Sequence, residues 1–449
     1  MSSPPCHFRL TGGDYFIHAI DRRMRRAGLA GNLCRIAIGL EVGLKPELLR
    51  RRIASSPIFN WLARVRMIRL LPGLSPLWRA AARPAGEVLH EHDHPDAGRD
   101  VLAGLPPAVW ERELRADRSP ALALDLVHHA DGTAQVVFSW NHALMDVRGA
   151  ELLLRHLRAD DGTEASPEVR DLIGPEQTNF NLLGYWRGFS RRALSGRGSL
   201  ALINAAGEEP LFSLLPARRP TGACRNQYRV ALFSEEETTR IDAQCQRLNA
   251  SFRRSLFYLA ASIKALHSVA MCRGSETGAY LVPVPHDMRR RGARGPVLSN
   301  QLSFLFFRIE PRGAASLTET IGELTRQMRE QVRNRIPESF LAAMEMFKPM
   351  PLDFYVGRLG RPTRGKFASF FFSDAGETCA GMNELLGARM TAVTHLAPAS
   401  RPPGLTVVFS RFRGQLSTVL AWVDDCLSVE EVNHLEHGLR TALLGEEAS

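Results

Sequence analysis

Lysine is nearly missing from this sequence. Lys45, Lys264, Lys348 and Lys366 are the only ones among 57 basic residues, so arginine carries almost all of the positive charge, and the formal net charge is +10. Such a skew has two readings: coding bias, or an anionic partner such as a phosphorylated cofactor, an acidic carrier or a lipid surface. The seven cysteines (Cys6, Cys34, Cys224, Cys245, Cys272, Cys379, Cys426) are odd in number and never spaced as CxxC. That argues against a disulfide framework and against a zinc knuckle. Also missing are a P-loop, a GxGxxG turn after a strand, and basic residues interleaved with aromatic ones, so no nucleic-acid partner is expected. The N-terminus, MSSPPCHFRLTGGDYF, has no basic segment followed by an apolar stretch, and no secretory signal is read there. Apolar runs such as Phe304–Phe307 and Phe367–Phe372 fall far short of the roughly 20 residues a spanning helix needs. A cytoplasmic protein is expected, with contact to a membrane surface left open.

At 449 residues the chain is too long for one ordinary core, and its 45% hydrophobic and 23% charged content is globular. Residues 31–43 read as a strand, followed by a helix in KPELLRRRIASS with Pro46 in its first turn. PIFNWLARVRM reads as extended. ALALDLVHH and TAQVVFSWNH flank Asp131-Gly132, a strong hairpin signal because both turn residues tolerate positive φ. A helix, GAELLLRHLRA, follows. Between 186 and 215 the pattern weakens into Gly, Ser, Arg and Pro and reads as a linker. Beyond it, Ser234 with Glu237, Ser316 with Glu319 and Ser428 with Glu431 are helix-start signatures. A longer helix covers roughly 252–270, and GAYLVPVP, QLSFLFFRIEP, LTVVFS and LSTVLAWV read as strands. The expected organisation is residues 1–185, a linker 186–215, and residues 216–449.

An H-x-x-x-D pair occurs three times: His92–Asp96, His142–Asp146 and His156–Asp160. The spacing alone is cheap, so context must choose. His156 lies within a helical pattern and His92 within the turn-rich HEHDHPDAG. Only His142 ends a buried strand and opens onto small residues and a helix, where a rigid strand can fix a side chain beside open space. His90, His92 and His94 alternate and would share a strand face able to bind zinc, but Pro95, Asp96 and Gly98 favour a surface loop, so no metal is expected.

The segment FSWNHALMDVRGAELLLRHL resembles the HHxxxDG region of chloramphenicol acetyltransferases, nonribosomal peptide condensation domains, plant BAHD acyltransferases and bacterial wax ester synthase/diacylglycerol acyltransferases. Downstream, LVPVPHDMRRRGARGPVLSNQLSFLFFRIEP is similar to the block "strand, D-x-R, Pro, GN, strand" of the BAHD and wax ester groups. ASFFFSDAGE resembles a late strand-SN-x-G segment. Three blocks in order identify the chain as similar to the HXXXD-type acyltransferases, closest to the wax ester and condensation groups. Four positions depart from the pattern: Asn141 replaces the first histidine, Val147 the glycine after the aspartate, Ser299 the glycine of GN, and Asp374 the asparagine of SN.

The resemblance implies an α/β fold of two chloramphenicol acetyltransferase-like subdomains in a V, with a channel between them. It implies acyl transfer from a coenzyme A or carrier-protein phosphopantetheine thioester to a hydroxyl or amine, with no permanently bound cofactor. A medium-to-long acyl group and an alcohol or lipid-like acceptor are the leading substrates. A free-standing condensation-type enzyme and a silent acyl-carrier- or lipid-binding member are the alternatives. His142 is the expected general base, since an imidazole can take the acceptor's proton near neutral pH. Asp146 is expected to support the loop by pairing with Arg289, with Arg290 as the next match. Ser303 and Ser373 are candidate oxyanion donors, and Asn300, Arg289 and Ser373 the expected substrate-side residues. The methionine-rich SFLAAMEMFKPMP (339–351) suits either an acyl tunnel or ordinary core packing.

Overall fold

Four sheets organise the described residues of the computed structural model, which are 7–71, 73–82, 86–95, 101–158, 188–216, 224–274, 278–290, 292–293 and 295–446. In chain order the strands are β1 (His7–Arg9), β2 (Leu33–Leu40), β3 (Val65–Ile68), β4 (Leu77–Ala80), β5 (Leu89–His94), β6 (Leu122–His129), β7 (Ala134–Asn141), β8 (Asn226–Leu232), β9 (Tyr280–Asp287), β10 (Leu302–Ile309), β11 (Phe371–Glu377), β12 (Glu384–Leu385), β13 (Ala388–Leu396), β14 (Leu405–Phe412) and β15 (Gln415–Val423). The largest sheet has the order β12-β13-β2-β7-β6-β5. A second runs β11-β14-β15-β8, and β1-β4-β3 and β10-β9 complete the set. β5–β6 and β11–β14 pair parallel among otherwise antiparallel neighbours, so the sheets are mixed. Strands β2 and β7 are buried at every position, as strands covered on both faces must be.

The Asp131-Gly132 hairpin is present: Gly132 has φ +82°, and the Asp131 carboxylate accepts from the Thr133 amide at 2.9 Å. Ser234–Glu237 and Ser428–Glu431 form reciprocal capping boxes, while Ser316 caps its helix from one side only. PIFNWLARVRM is not wholly extended. Ser56 caps a short helix, Pro57–Leu62, with proline at its first position, and only then does β3 begin. HEHDH is a strand, not a loop, and His92 Nε2 lies 2.8 Å from the Asp125 carboxylate; Asp96 and Gly98 fall outside the described residues. The helix Arg254–Cys272 belongs to a stretch apolar and long enough to cross a membrane, 251–272, yet 67% of its apolar window is buried inside the protein.

Two features were hidden from local pattern. The stretch read as a linker contains the helix Phe189–Glu208, packed on Ile336–Phe347. Its glycines and serines lower helix propensity but permit close approach. A Cβ on Gly196 would meet Ala343 at 3.1 Å, and one on Gly207 would sit 1.7 Å from the Pro362 carbonyl oxygen. The Ser199 amide donates to Ser339 Oγ at 2.9 Å. The junction at 185 lies outside the described residues. In addition, β12 and β13 join the sheet of the N-terminal half, with β13 pairing to β2 from Met390–Leu40 through Leu396–Arg35. Sheet membership therefore crosses the division expected at 216.

Because the Phe189–Glu208 contact is backbone-close, Gly196→Val should cost about 1–3 kcal/mol of stability by overpacking, read as a lower urea midpoint at unchanged slope.

Candidate active site

His142 follows directly on β7. Its backbone amide donates to the Asn32 carbonyl at 2.9 Å, which continues the sheet by one rung. Asn141, standing where the resemblance has a first histidine, is fully buried and belongs to the scaffold. Its side chain donates to Asp21 (3.2 Å) and to the Leu114 carbonyl (3.1 Å), and accepts from the Ala143 amide. Trp140 Nε1 donates to the Met145 carbonyl at 2.9 Å, so the loop 142–145 is tied back to the strand it leaves.

Asp146 closes that loop. One carboxylate oxygen caps the helix Val147–Arg158 by accepting from the Gly149 amide at 2.8 Å; the other accepts from the Gln301 amide at 2.8 Å. Arg289 grips both oxygens at 2.9 Å, with the two side chains 4% and 6% exposed. This geometry leaves Arg289 nothing to offer a substrate: its remaining bonds go to Asp287 and to the Pro296 carbonyl. Val147 is simply the first residue of a right-handed helix, and the tight approach falls two residues later. A Cβ on Gly149 would lie 2.2 Å from the Val297 carbonyl oxygen. Ser299, in place of a glycine, does adopt the left-handed region at φ +75°, where a non-glycine residue is strained.

What holds Ser299 there is Asp14, a residue that sequence reasoning missed. From the first turn of helix Gly12–Arg26 its carboxylate accepts from Ser299 Oγ at 2.6 Å, the Asn300 amide at 2.7 Å, Asn300 Nδ2 at 3.1 Å and Trp78 Nε1 at 3.2 Å. Burial pushes this carboxyl above the usual range, opposed by its hydrogen-bond donors. Asn300 Nδ2 also donates to the carbonyls of His142 (2.9 Å) and Ala143 (3.2 Å). Asn300 thus anchors the histidine loop, and it is not among the residues lining the cavity. Neither is Ser303, whose buried hydroxyl donates to the Pro337 carbonyl at 2.6 Å. Ser373, on β11, does line it. Asp374, where the resemblance has asparagine, accepts from the Gly376 amide at 3.0 Å, and burial pushes its carboxyl up.

The cavity has a volume of about 760 Å³, ordinary for a small-molecule site. Its lining comes from both halves of the chain: Phe16, Ile20 and Val147 from the first, Phe304, Phe340 and Met344 from the second. The 339–351 segment therefore lines the cavity through Phe340, Ala343, Met344, Phe347 and Met350. His142 reaches it too. Burial holds its imidazole below the usual 6.5, and its buried Nδ1 has no hydrogen-bond partner among the described residues. Arg35 and His395 also line the cavity and were missed in the sequence. Arg35 donates to the Val109 carbonyl and lies over the Trp110 ring; His395 Nε2 is 3.4 Å from Glu151. Among the described residues one group of three metal-type side chains converges, Cys224, Asp424 and Asp425, away from this cavity. Its acids are committed to the Arg225 amide and to Arg401.

Comparison with solved structures agrees with this architecture over nearly the whole chain. The TRI3 trichothecene 15-O-acetyltransferase from Fusarium sporotrichioides superposes with a TM-score of 0.69 at 14% identity, covering 98% of this chain and 95% of that one. The first condensation domain of the calcium-dependent antibiotic synthetase gives 0.68 at 14% identity, with 98% and 95% covered. The SgcC5 protein from Streptomyces globisporus gives 0.63 at 16% identity, with 97% and 98% covered. The chain has the condensation-domain fold. No protein-family model and no curated sequence matches it.

Arg289→Met should destabilise the protein by roughly 3–5 kcal/mol, because it leaves the Asp146 carboxylate buried and unpaired. The double variant Asp146→Asn/Arg289→Met should recover part of that loss in the same denaturation measurement.

Proposed function

We propose that the chain is an acyltransferase that moves an acyl group from a thioester to a hydroxyl or amine, with His142 as general base. The observation that carries this reading is the placement of an imidazole, held neutral by burial, on the wall of a largely apolar cavity. Asp146 contributes through the loop: both of its oxygens are spent on Arg289, Gly149 and Gln301. Since Nδ1 is buried, we assign Nε2 as the atom that meets the acceptor.

The acceptor's O–H or N–H donates to Nε2 as its lone pair attacks the thioester carbonyl. The proton passes to the imidazole, and the carbonyl electrons move onto oxygen. When the tetrahedral intermediate collapses, the C–S bond breaks and the imidazolium returns its proton to the departing thiolate. Ser373 is the assigned side-chain donor to the developing oxyanion, since Ser303 is bonded to Pro337. The apolar walls favour a medium-to-long acyl group and a lipid-like or alcohol acceptor, in keeping with the wax ester resemblance; the donor is coenzyme A or a carrier-bound arm, with no resident cofactor.

The test is incubation with a panel of acyl thioesters against alcohols and amines, read by mass spectrometry of the products. His142→Ala should lower turnover by about 10²–10⁴-fold, and an unchanged rate removes the base assignment. Because burial lowers the His142 pKa, the base stays deprotonated below the ordinary value. The acidic limb of kcat/KM should therefore fall at a pH beneath 6.5. Ile203 projects from the Phe189–Glu208 helix onto the cavity wall. Ile203→Trp should shift the preferred acyl group to shorter chains, measured as kcat/KM across a chain-length series.

A further inference from the structure

Arginine is abundant in this protein, and most of it is spoken for. Of the arginines at 50–52, 64, 66 and 69, three are engaged internally. Arg50 pairs with Glu47 and Glu91, Arg64 donates to the Asn60 carbonyl, and Arg69 donates to the carbonyls of Lys348 and Met350. A different set surrounds one mouth of the cavity, where helix Leu352–Leu359 ends and the turn 360–367 begins. Three of the cations there are fixed on backbone oxygens. Arg23 donates to the Gly365 carbonyl at 3.1 Å and lies over the Phe367 ring, Arg364 donates to the Glu208 carbonyl at 2.8 Å, and Lys366 donates to the Leu211 carbonyl.

Arg358 and Arg361 are different. Both are exposed and both line the cavity, and neither has a carboxylate or carbonyl partner among the described residues. Arg358 stands 4.9 Å over the ring of Phe354, itself 48% exposed at the same mouth. The segment's lone acid, Asp353, is already shared between Arg22 and Arg26. The turn that carries Arg361 is held in an unusual shape, with Arg364, Gly365 and Phe367 all at positive φ. The result is two uncompensated guanidinium groups, three residues apart, at the rim of an otherwise apolar cavity.

Resting on the acyl-transfer reading above, we propose that Arg358 and Arg361 bind the phosphate of the donor's pantetheine arm, so that the thioester enters through this mouth. Guanidinium groups suit the role because their planar forks match phosphate oxygens, and an exposed pair attracts a phosphate anion before contact is made. The phosphate is shared by coenzyme A and by a carrier protein's prosthetic arm. Either source places its charge at the rim while the acyl group extends into the apolar interior toward His142.

The experiment compares octanoyl-CoA, octanoyl-phosphopantetheine and octanoyl-pantetheine as donors, with wild-type protein and with Arg358→Ala/Arg361→Ala. Both residues are exposed, and beyond the contact of Arg358 with the exposed Phe354 ring neither makes a hydrogen bond or ion pair among the described residues, so the variant should stay within a few degrees of the wild-type melting temperature. The expected result is a KM at least about tenfold higher for the two phosphate-bearing donors, with kcat and the KM for octanoyl-pantetheine unchanged. Raising the salt concentration should erase much of the wild-type advantage for those donors. Comparing kcat/KM for octanoyl-CoA and for an octanoyl-loaded carrier protein then separates the sources. An equal KM change for all three donors, or a change confined to the acceptor's KM, overturns the phosphate site while leaving acyl transfer standing. A wild-type protein that consumes none of the thioesters overturns the acyl-transfer reading and the site with it.

Discussion

The buried pair between Asp146 and Arg289 is the constraint on which the site depends. It joins residues 143 positions apart, and both partners are almost wholly removed from water. A lone charge there would be costly, so the pair forces the histidine loop and the segment 287–301 to fold against each other or not at all. The contacts that reach the histidine loop from residues 297–301 presuppose that docking. Gly149 can lie against the Val297 carbonyl only when the loop is seated, and the Met145–Ser299 bridge forms across the same junction.

Asp14 provides a second lock from a third part of the chain. Its carboxylate gathers Ser299, Asn300 and Trp78, and Asn300 passes the restraint to the carbonyls of His142 and Ala143. The imidazole is thus positioned by backbone and amide contacts, which leaves its ring to the cavity. The arrangement is physically sensible: charges that must be neutralised sit behind the loop, and the imidazole proposed as the base sits in front of it.

Much of this was legible in sequence, and the limits have identifiable causes. The hairpin before His142 was visible because Asp131-Gly132 demands a turn between two β-rich runs. The capping residues Ser234 and Ser428 marked helix starts for equally local reasons, and Arg289 was the matched partner for Asp146. What stayed hidden depends on contacts at a distance. The helix 189–208 is rich in glycine and serine, so its propensity is poor, and only packing on 336–347 makes it stable. His395 and Arg35 share the cavity because β13 pairs with β2, a relation that no local pattern encodes. Ser303 and Asn300 lay in the right block, but their side chains point their bonds at Pro337 and at the loop carbonyls. Residue type could not distinguish that from facing a substrate.

The pairing of β13 with β2 also bears on how the molecule can be divided. Removing residues 384–396 would uncover the β2 edge along six consecutive register positions near the middle of its sheet. A bare edge of that length recruits other chains. The protein is accordingly not two modules joined end to end. Its halves are interlocked, and a gene split near residue 216 would leave β2 of the N-terminal fragment without its β13 partner.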